Sequence, residues 1–170
     1  TYGMSIYKNM PLIEPLETKE VKKIYEFVIM LDTSYSINEE LAKRFLSNTY
    51  TILSTSNMFY KSCKVHIIQC DDRIRKDDVI SNQNEMDRLL NSFTLVGGGN
   101  TDFRPVFSYV NDLIDQKVFQ NLCGLLYFTD GKGIYPKKSP AYKTAFIYLE
   151  DYDRSKVPSW AIQYRLEEKL

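Results

Sequence analysis

The sequence predicts an α/β fold of the Rossmann-like, three-layer kind, with a mostly parallel central sheet, an antiparallel edge strand and helices on both faces. Three observations lead there. Apolar runs of strand length alternate with stretches of helical period, which is the order of a parallel sheet wound with crossover helices. Several of those runs are almost continuously apolar, as strands covered on both faces must be. One strand-like stretch follows another too closely for a crossover, so that pair forms a hairpin at an antiparallel edge.

The elements follow in chain order. Residues 1–20 mix apolar and polar side chains around Pro11 and Pro15 without a sustained period, and read as an N-terminal arm or linker to a domain over 21–170. "IYEFVIML" (Ile24–Leu31) is a buried central strand ended by a polar cluster. Ile37, Leu41, Phe45, Leu46 and Tyr50 recur at helical spacing and predict a helix over Ile37–Leu53. "KVHIIQC" (Lys64–Cys70) is a second strand and "RIRKDDVI" (Arg73–Ile80) its hairpin partner. A polar helix is expected around Asn84–Phe93, then the loop "VGGGNTD", then a helix from Phe103 to Gln116. "CGLLYFTD" (Cys123–Asp130) is another buried strand, and "GKGIYPKKSP" a turn-rich loop. "KTAFIYLE" (Lys143–Glu150) and "WAIQYRL" (Trp160–Leu166) close the chain as strands. Only about nine residues separate these two, too few for a crossover helix, so they need another route, with Pro158 and Trp160 covering that edge.

Composition sets bounds. A chain of 170 residues with 44% hydrophobic content is one domain with a sizeable core. Its 22 basic and 22 acidic residues cancel, which gives no global field for nucleic acid or an anionic membrane. No apolar run reaches the roughly 18 residues of a membrane span, and no signal-peptide pattern opens the chain; a soluble cytoplasmic domain is the expectation. Cys63, Cys70 and Cys123 are an odd set without a C-x-x-C pair, which fits reduced thiols and neither a disulfide framework nor a zinc knuckle. The chain begins at Thr1 without an initiator methionine, and a longer parent protein is expected.

In sheets of this kind ligands bind beyond the carboxyl ends of the strands, where the strand order reverses. Asp32 and Asp130 both end strands there. The run Gly97–Gly99 allows positive φ and close backbone approach, and sets Thr101 before a helix on the same rim. With Ser34 and Ser36 at alternate positions after Asp32, two carboxylates and three hydroxyls converge. An oxygen-only set suits a hard divalent cation, Mg²⁺ or Ca²⁺, and not zinc.

The combination of "DTSYS" (Asp32–Ser36), "GGGNT" with Thr101 and "FTDG" with Asp130 resembles the metal-ion-dependent adhesion site of von Willebrand factor type A (VWA) domains. The resemblance covers residue 22 to the end. More narrowly, "GGGNTDFRPVF" and "LLYFTDGKGIYP" are similar to the VWA-like domain of bacterial proteins whose N-terminal half is a metallopeptidase-type domain. It implies that Ser34, Ser36 and Thr101 ligate through hydroxyls, and Asp32 and Asp130 directly or through water. It also implies bacterial cytoplasm, a tethered metallopeptidase-type domain and a collaborating ATPase of the MoxR type.

Plainer readings stand beside these. Ser36 and Glu39 also spell an S-x-x-E capping box, and Asp102 is placed to cap the following helix. The glycine run lacks the G-K-[ST] or G-x-G-x-x-G of a nucleotide loop. His66, the only histidine, lies mid-strand and reads as a core residue, not a general base. The pairs Asp71-Asp72 and Asp77-Asp78 and the run Glu150–Asp153 are expected to cap strands and face solvent, and the 13 tyrosines to fill core and rim, with Tyr35 and Tyr135 a contact surface if exposed together. The function expected is a metal-dependent protein-binding module, in which an Asp or Glu of a protein partner completes the shell of Mg²⁺ (Mn²⁺ or Ca²⁺ also fitting) and no catalytic residue is assigned. The alternative is a Mg²⁺-dependent hydrolase or phosphoryl-transfer enzyme, with Lys132, Lys137 and Lys138 near the phosphate.

Overall fold

The apolar run Tyr25–Asp32 forms β1 at the centre of a six-stranded sheet in the computed structural model, which describes residues 25–34, 37–55 and 63–166. The remaining strands are β2 (Cys63–Cys70), β3 (Ile74–Ile80), β4 (Leu122–Thr129), β5 (Thr144–Tyr148) and β6 (Ile162–Arg165), in the order β3-β2-β1-β4-β5-β6. All neighbours are parallel except β2 and β3, the expected hairpin at one edge. The arm expected over residues 1–20 lies outside the described residues.

Side chains alternate across a strand, and β1 shows why both of its faces are apolar. Phe27, Ile29 and Leu31 pack in one core with the helices α1 (Glu39–Thr55) and α2 (Gln83–Asn91), where Phe45 stacks on Phe128 at 4.2 Å. Val28 and Met30 pack in a second core with α3 (Arg104–Asp115), through Val106, Phe107 and Val110. Each such side chain, fully buried, stabilises the fold by roughly 1.5–3 kcal/mol. Three layers result. The hairpin edge is blunted by charge: Arg75, Lys76 and Asp78 point from β3, and Lys76 and Asp78 pair at 3.3 Å.

Two helix starts depart from expectation. Asn38 caps α1, its Oδ1 accepting from the N–H groups of Glu40 (2.8 Å) and Leu41 (3.3 Å). The Glu39 carboxylate of the expected capping box instead accepts from the N–H of Leu95 at 3.2 Å, tying α1 to the loop before the glycine run. At α3 the N-cap is Phe103, which makes no side-chain cap; Asp102, expected to cap this helix, lies one residue earlier and accepts from the N–H of Arg104 at 3.0 Å and from its guanidinium at 2.7 Å.

β5 and β6 keep the parallel arrangement without a helix between them. Residues 149–161 turn through a 3₁₀ segment, Arg154–Lys156, capped by Asp153, whose Oδ1 accepts from the N–H of Ser155 at 3.0 Å. Trp160 then packs edge-on against Phe107, ring centroids 5.8 Å apart, so it covers the second core where a crossover helix would otherwise lie.

His66 is buried mid-strand with Nδ1 3.1 Å from Asp77, and its ring meets the Phe119 ring at 4.7 Å. The aspartate pairs are not all at solvent as expected. Asp77 also accepts from the Tyr109 hydroxyl at 2.6 Å, and Asp71 is fully buried. Tyr135 is likewise packed, tilted on Phe103 with ring centroids 4.7 Å apart, while Tyr35 lies outside the described residues. The three cysteines are free thiols. Among the described residues no helix is long and apolar enough to cross a membrane.

Candidate functional site

From β1 the chain passes outward to β2 and β3 on one side, then returns to place β4 on the other side of β1. The order therefore reverses between β1 and β4, and a crevice opens at their carboxyl ends. Asp32 is the last residue of β1 and Asp130 follows the last residue of β4.

Both carboxylates are buried, Asp32 completely. Asp32 Oδ1 accepts from the N–H of Ser34 at 2.8 Å and Oδ2 from the Thr129 hydroxyl at 2.6 Å. Thr129 in turn accepts from the N–H of Gly131 at 3.1 Å, and Asp130 from that of Lys132 at 3.0 Å. Burial raises the Asp32 pKa above the ordinary carboxylate range; the bonds from Thr129 and Ser34 oppose this, and the negative charge of Asp130 adds to it.

Thr101 and Asp130 line one cleft of about 610 Å³, together with Lys132, Ile134, Tyr152 and Lys156. Ser34 is buried beside Asp32. Thus Asp32, Ser34 and Asp130 are neighbours, and Thr101 shares a cleft with Asp130. Ser36 lies outside the described residues. Lys132 stands at the cleft with its ammonium 3.0 Å from Glu150, while Lys137 and Lys138 are exposed further along the same loop.

The glycine loop is held by side chains that sequence reasoning passed over. Gln69 accepts from the N–H of Val96 at 2.8 Å and donates to the Thr94 carbonyl at 3.2 Å. The N–H of Gly98 donates to the Thr33 carbonyl at 2.8 Å. Gly97 has φ +146°, and a methyl there would overlap the Thr33 hydroxyl, so only glycine fits. Asp71 Oδ2 accepts from the N–H of Gly99 at 3.0 Å, and the Arg75 guanidinium grips both Asp71 oxygens at 2.8 Å. Burial would raise the Asp71 pKa, but the Arg75 fork and the N–H groups of Gly99 and Arg73 outweigh it and hold the carboxyl well below its usual range. A signal for Asp71 was present: it follows β2 at the same carboxyl edge that singled out Asp32 and Asp130.

The donor set fits a hard cation. Asp32 is wholly buried, and the groups that act on it are a backbone N–H, two hydroxyls and a second carboxylate, with no positive charge among them. Among the described residues no group of three or more His, Cys, Asp or Glu side chains gathers as a metal cluster. A set with two carboxylates and the rest hydroxyls would not form one.

A mostly parallel six-stranded sheet with an antiparallel edge and helices on both faces is the α/β fold of VWA-like domains. The family profile described as VWA-like domain (DUF2201) matches residues 27–167, and the chain belongs to that family. In fold it is similar to the crystal structure of an aerotolerance-related membrane protein from Bacteroides fragilis NCTC 9343 carrying multiple mutations to serines. That match has TM-score 0.50 and 15% identity, and covers 85% of this chain and 92% of that one. Comparison with curated proteins finds no match.

Proposed function

We propose that the chain is a metal-dependent protein-binding module whose adhesion-type site is formed by Asp32, Ser34, Ser36, Thr101 and Asp130. The observation that supports it most is the buried Asp32 carboxylate, held by a backbone N–H and a hydroxyl, beside Asp130, which lines a cleft together with Thr101. A Mg²⁺ ion bound there, or Mn²⁺ or Ca²⁺ in its place, would supply positive charge and an open coordination position for an oxygen ligand. The chain's own residues prepare that place. Thr129 and the Ser34 N–H orient the Asp32 carboxylate, and the Lys132 N–H orients that of Asp130. Ser34, Ser36 and Thr101 would contribute neutral oxygens directly, and with Asp32 and Asp130 reaching the ion partly through water the cation would keep much of its charge toward an incoming Asp or Glu of a protein partner.

The same reading takes the domain as part of a longer bacterial cytoplasmic protein with a metallopeptidase-type domain before it and a MoxR-type ATPase as collaborator. It assigns this chain binding and no turnover. Titration calorimetry with Mn²⁺ and Mg²⁺ tests the site: one equivalent should bind to wild type and none to Asp32→Ala, and equal binding by both would sink the assignment. A pull-down from lysate of the source organism, with and without chelator, tests the partner. Acidic peptides should compete, and Thr101→Ala should abolish the chelator-sensitive fraction. Metal-dependent hydrolysis of a phosphate ester that Asp130→Ala stops would replace this reading with the Mg²⁺-dependent hydrolase.

A further inference from the structure

We propose that Asp71 and Arg75 are the positioning pair that sets Thr101 for the cation; the inference rests on the metal-binding reading above. Thr101 has Gly99 on one side and Asp102 on the other, and both are fastened to the same residue. The Gly99 N–H donates to the Asp71 carboxylate at 3.0 Å and the Asp102 N–H to the Asp71 carbonyl at 3.1 Å. Thr101 is thus bracketed by two hydrogen bonds to Asp71, one through the side chain and one through the backbone.

Asp71 holds this place because Arg75 fixes it. The guanidinium meets both carboxylate oxygens at 2.8 Å, a bidentate contact that sets direction as well as charge. The Arg73 N–H adds a bond to Oδ1 at 3.2 Å. Packing leaves the loop little freedom to slip. A methyl at Gly99 would come within 2.9 Å of Asp71 Oδ2, and one at Gly133 within 2.8 Å of the Thr101 methyl. The Phe103 N–H donates to the Ile134 carbonyl at 3.1 Å, closing the far side.

The Asp71 side chain is wholly buried whereas that of Arg75 is 30% exposed, so Arg75 can be changed with less risk to folding. Groups that orient a ligand residue typically change metal affinity about 10- to 100-fold when removed. Arg75→Ala should weaken Mn²⁺ binding by about tenfold in calorimetry, and Arg75→Lys, which keeps the charge without the fork, by less. A double-mutant cycle separates positioning from general damage. Combined with Thr101→Ala, Arg75→Ala should weaken Mn²⁺ no further than Thr101→Ala alone, because its effect runs through Thr101.

A second readout needs no metal. In the metal-free protein Arg75→Ala should speed amide hydrogen exchange at Gly99 and Asp102, leaving β1 and β4 protected as in wild type. Wild-type Mn²⁺ affinity in Arg75→Ala, additive losses in the double mutant, or unchanged exchange at both amides would each overturn the pair's role. If Thr101→Ala binds Mn²⁺ as wild type does, the metal reading itself fails, and this inference with it.

Discussion

Asp32 is placed where a carboxylate is hard to keep charged, and that makes it separable from the residues that hold the fold. Its pKa is raised by burial, so above that pKa the metal-free protein carries a destabilising charge, while below the unfolded value both states are protonated and the difference vanishes. Asp32→Asn should therefore melt no lower than wild type at pH 7 without metal, and its advantage should shrink as pH falls, although cation binding is lost. Asp71 has the opposite sign. Its carboxyl is held low, so its stabilisation is present above the unfolded carboxylate value near ~3.9 and is lost as pH falls through the folded one. Asp71→Asn should be clearly less stable than wild type in urea at pH 7 and approach it in acid. A stability gap that stayed constant as pH fell from 7 to well below the unfolded carboxylate value would contradict the ion-pair account. At Gly97 the argument is steric: with φ +146° and Thr33 against it, Gly97→Ala should destabilise by roughly 1–3 kcal/mol, read as a lower melting temperature.

At the scale of elements, the strands were legible because a strand covered on both faces must be largely apolar, as Phe27–Leu31 of β1 and Leu125–Phe128 of β4 are. The helices were legible because Ala42, Phe45, Leu46 and Leu53 keep one face of α1 on the core. What could not be read were contacts made across folds of the chain. The Asp71 bond to Gly99 joins residues far apart in sequence; the place of Asp71 after β2 marks the carboxyl edge but not the loop that it holds. Ser36 and Asn38 are both cap-forming residue types within three positions of Glu39, and residue type alone does not tell that Asn38 Oδ1 is the acceptor for the first N–H groups of α1. The parallel β5–β6 pair was obscured because a 3₁₀ turn and one indole do what a helix usually does. Phe107→Ala should accordingly cost about 3–5 kcal/mol and, by removing the ring that Trp160 meets edge-on, shift the emission of this single tryptophan to the red. An unchanged emission maximum would show that Trp160 does not depend on that contact.

For the whole molecule the question is whether a cation would be part of the fold or a guest on it. Both cores run along the faces of the sheet, from α1 and α2 on one side to α3 and Trp160 on the other, and the candidate ligands stand beyond the strand ends. Among the described residues neither apolar core includes them, and the loop that carries Thr101 is tied down by Asp71, Gln69 and Glu39, protein groups that remain when a metal leaves. Removing the metal should then leave the far-ultraviolet circular dichroism nearly unchanged. The melting temperature should still respond, because a ligand that binds only the folded state stabilises it by mass action, about 2.7 kcal/mol at a hundredfold excess over Kd. That increment should vanish in Asp32→Asn, which keeps the fold and lacks the site. Loss of the native spectrum on adding chelator would make the cation structural, and would mean that the hydrogen bonds around Asp71 do not suffice to hold the crevice open.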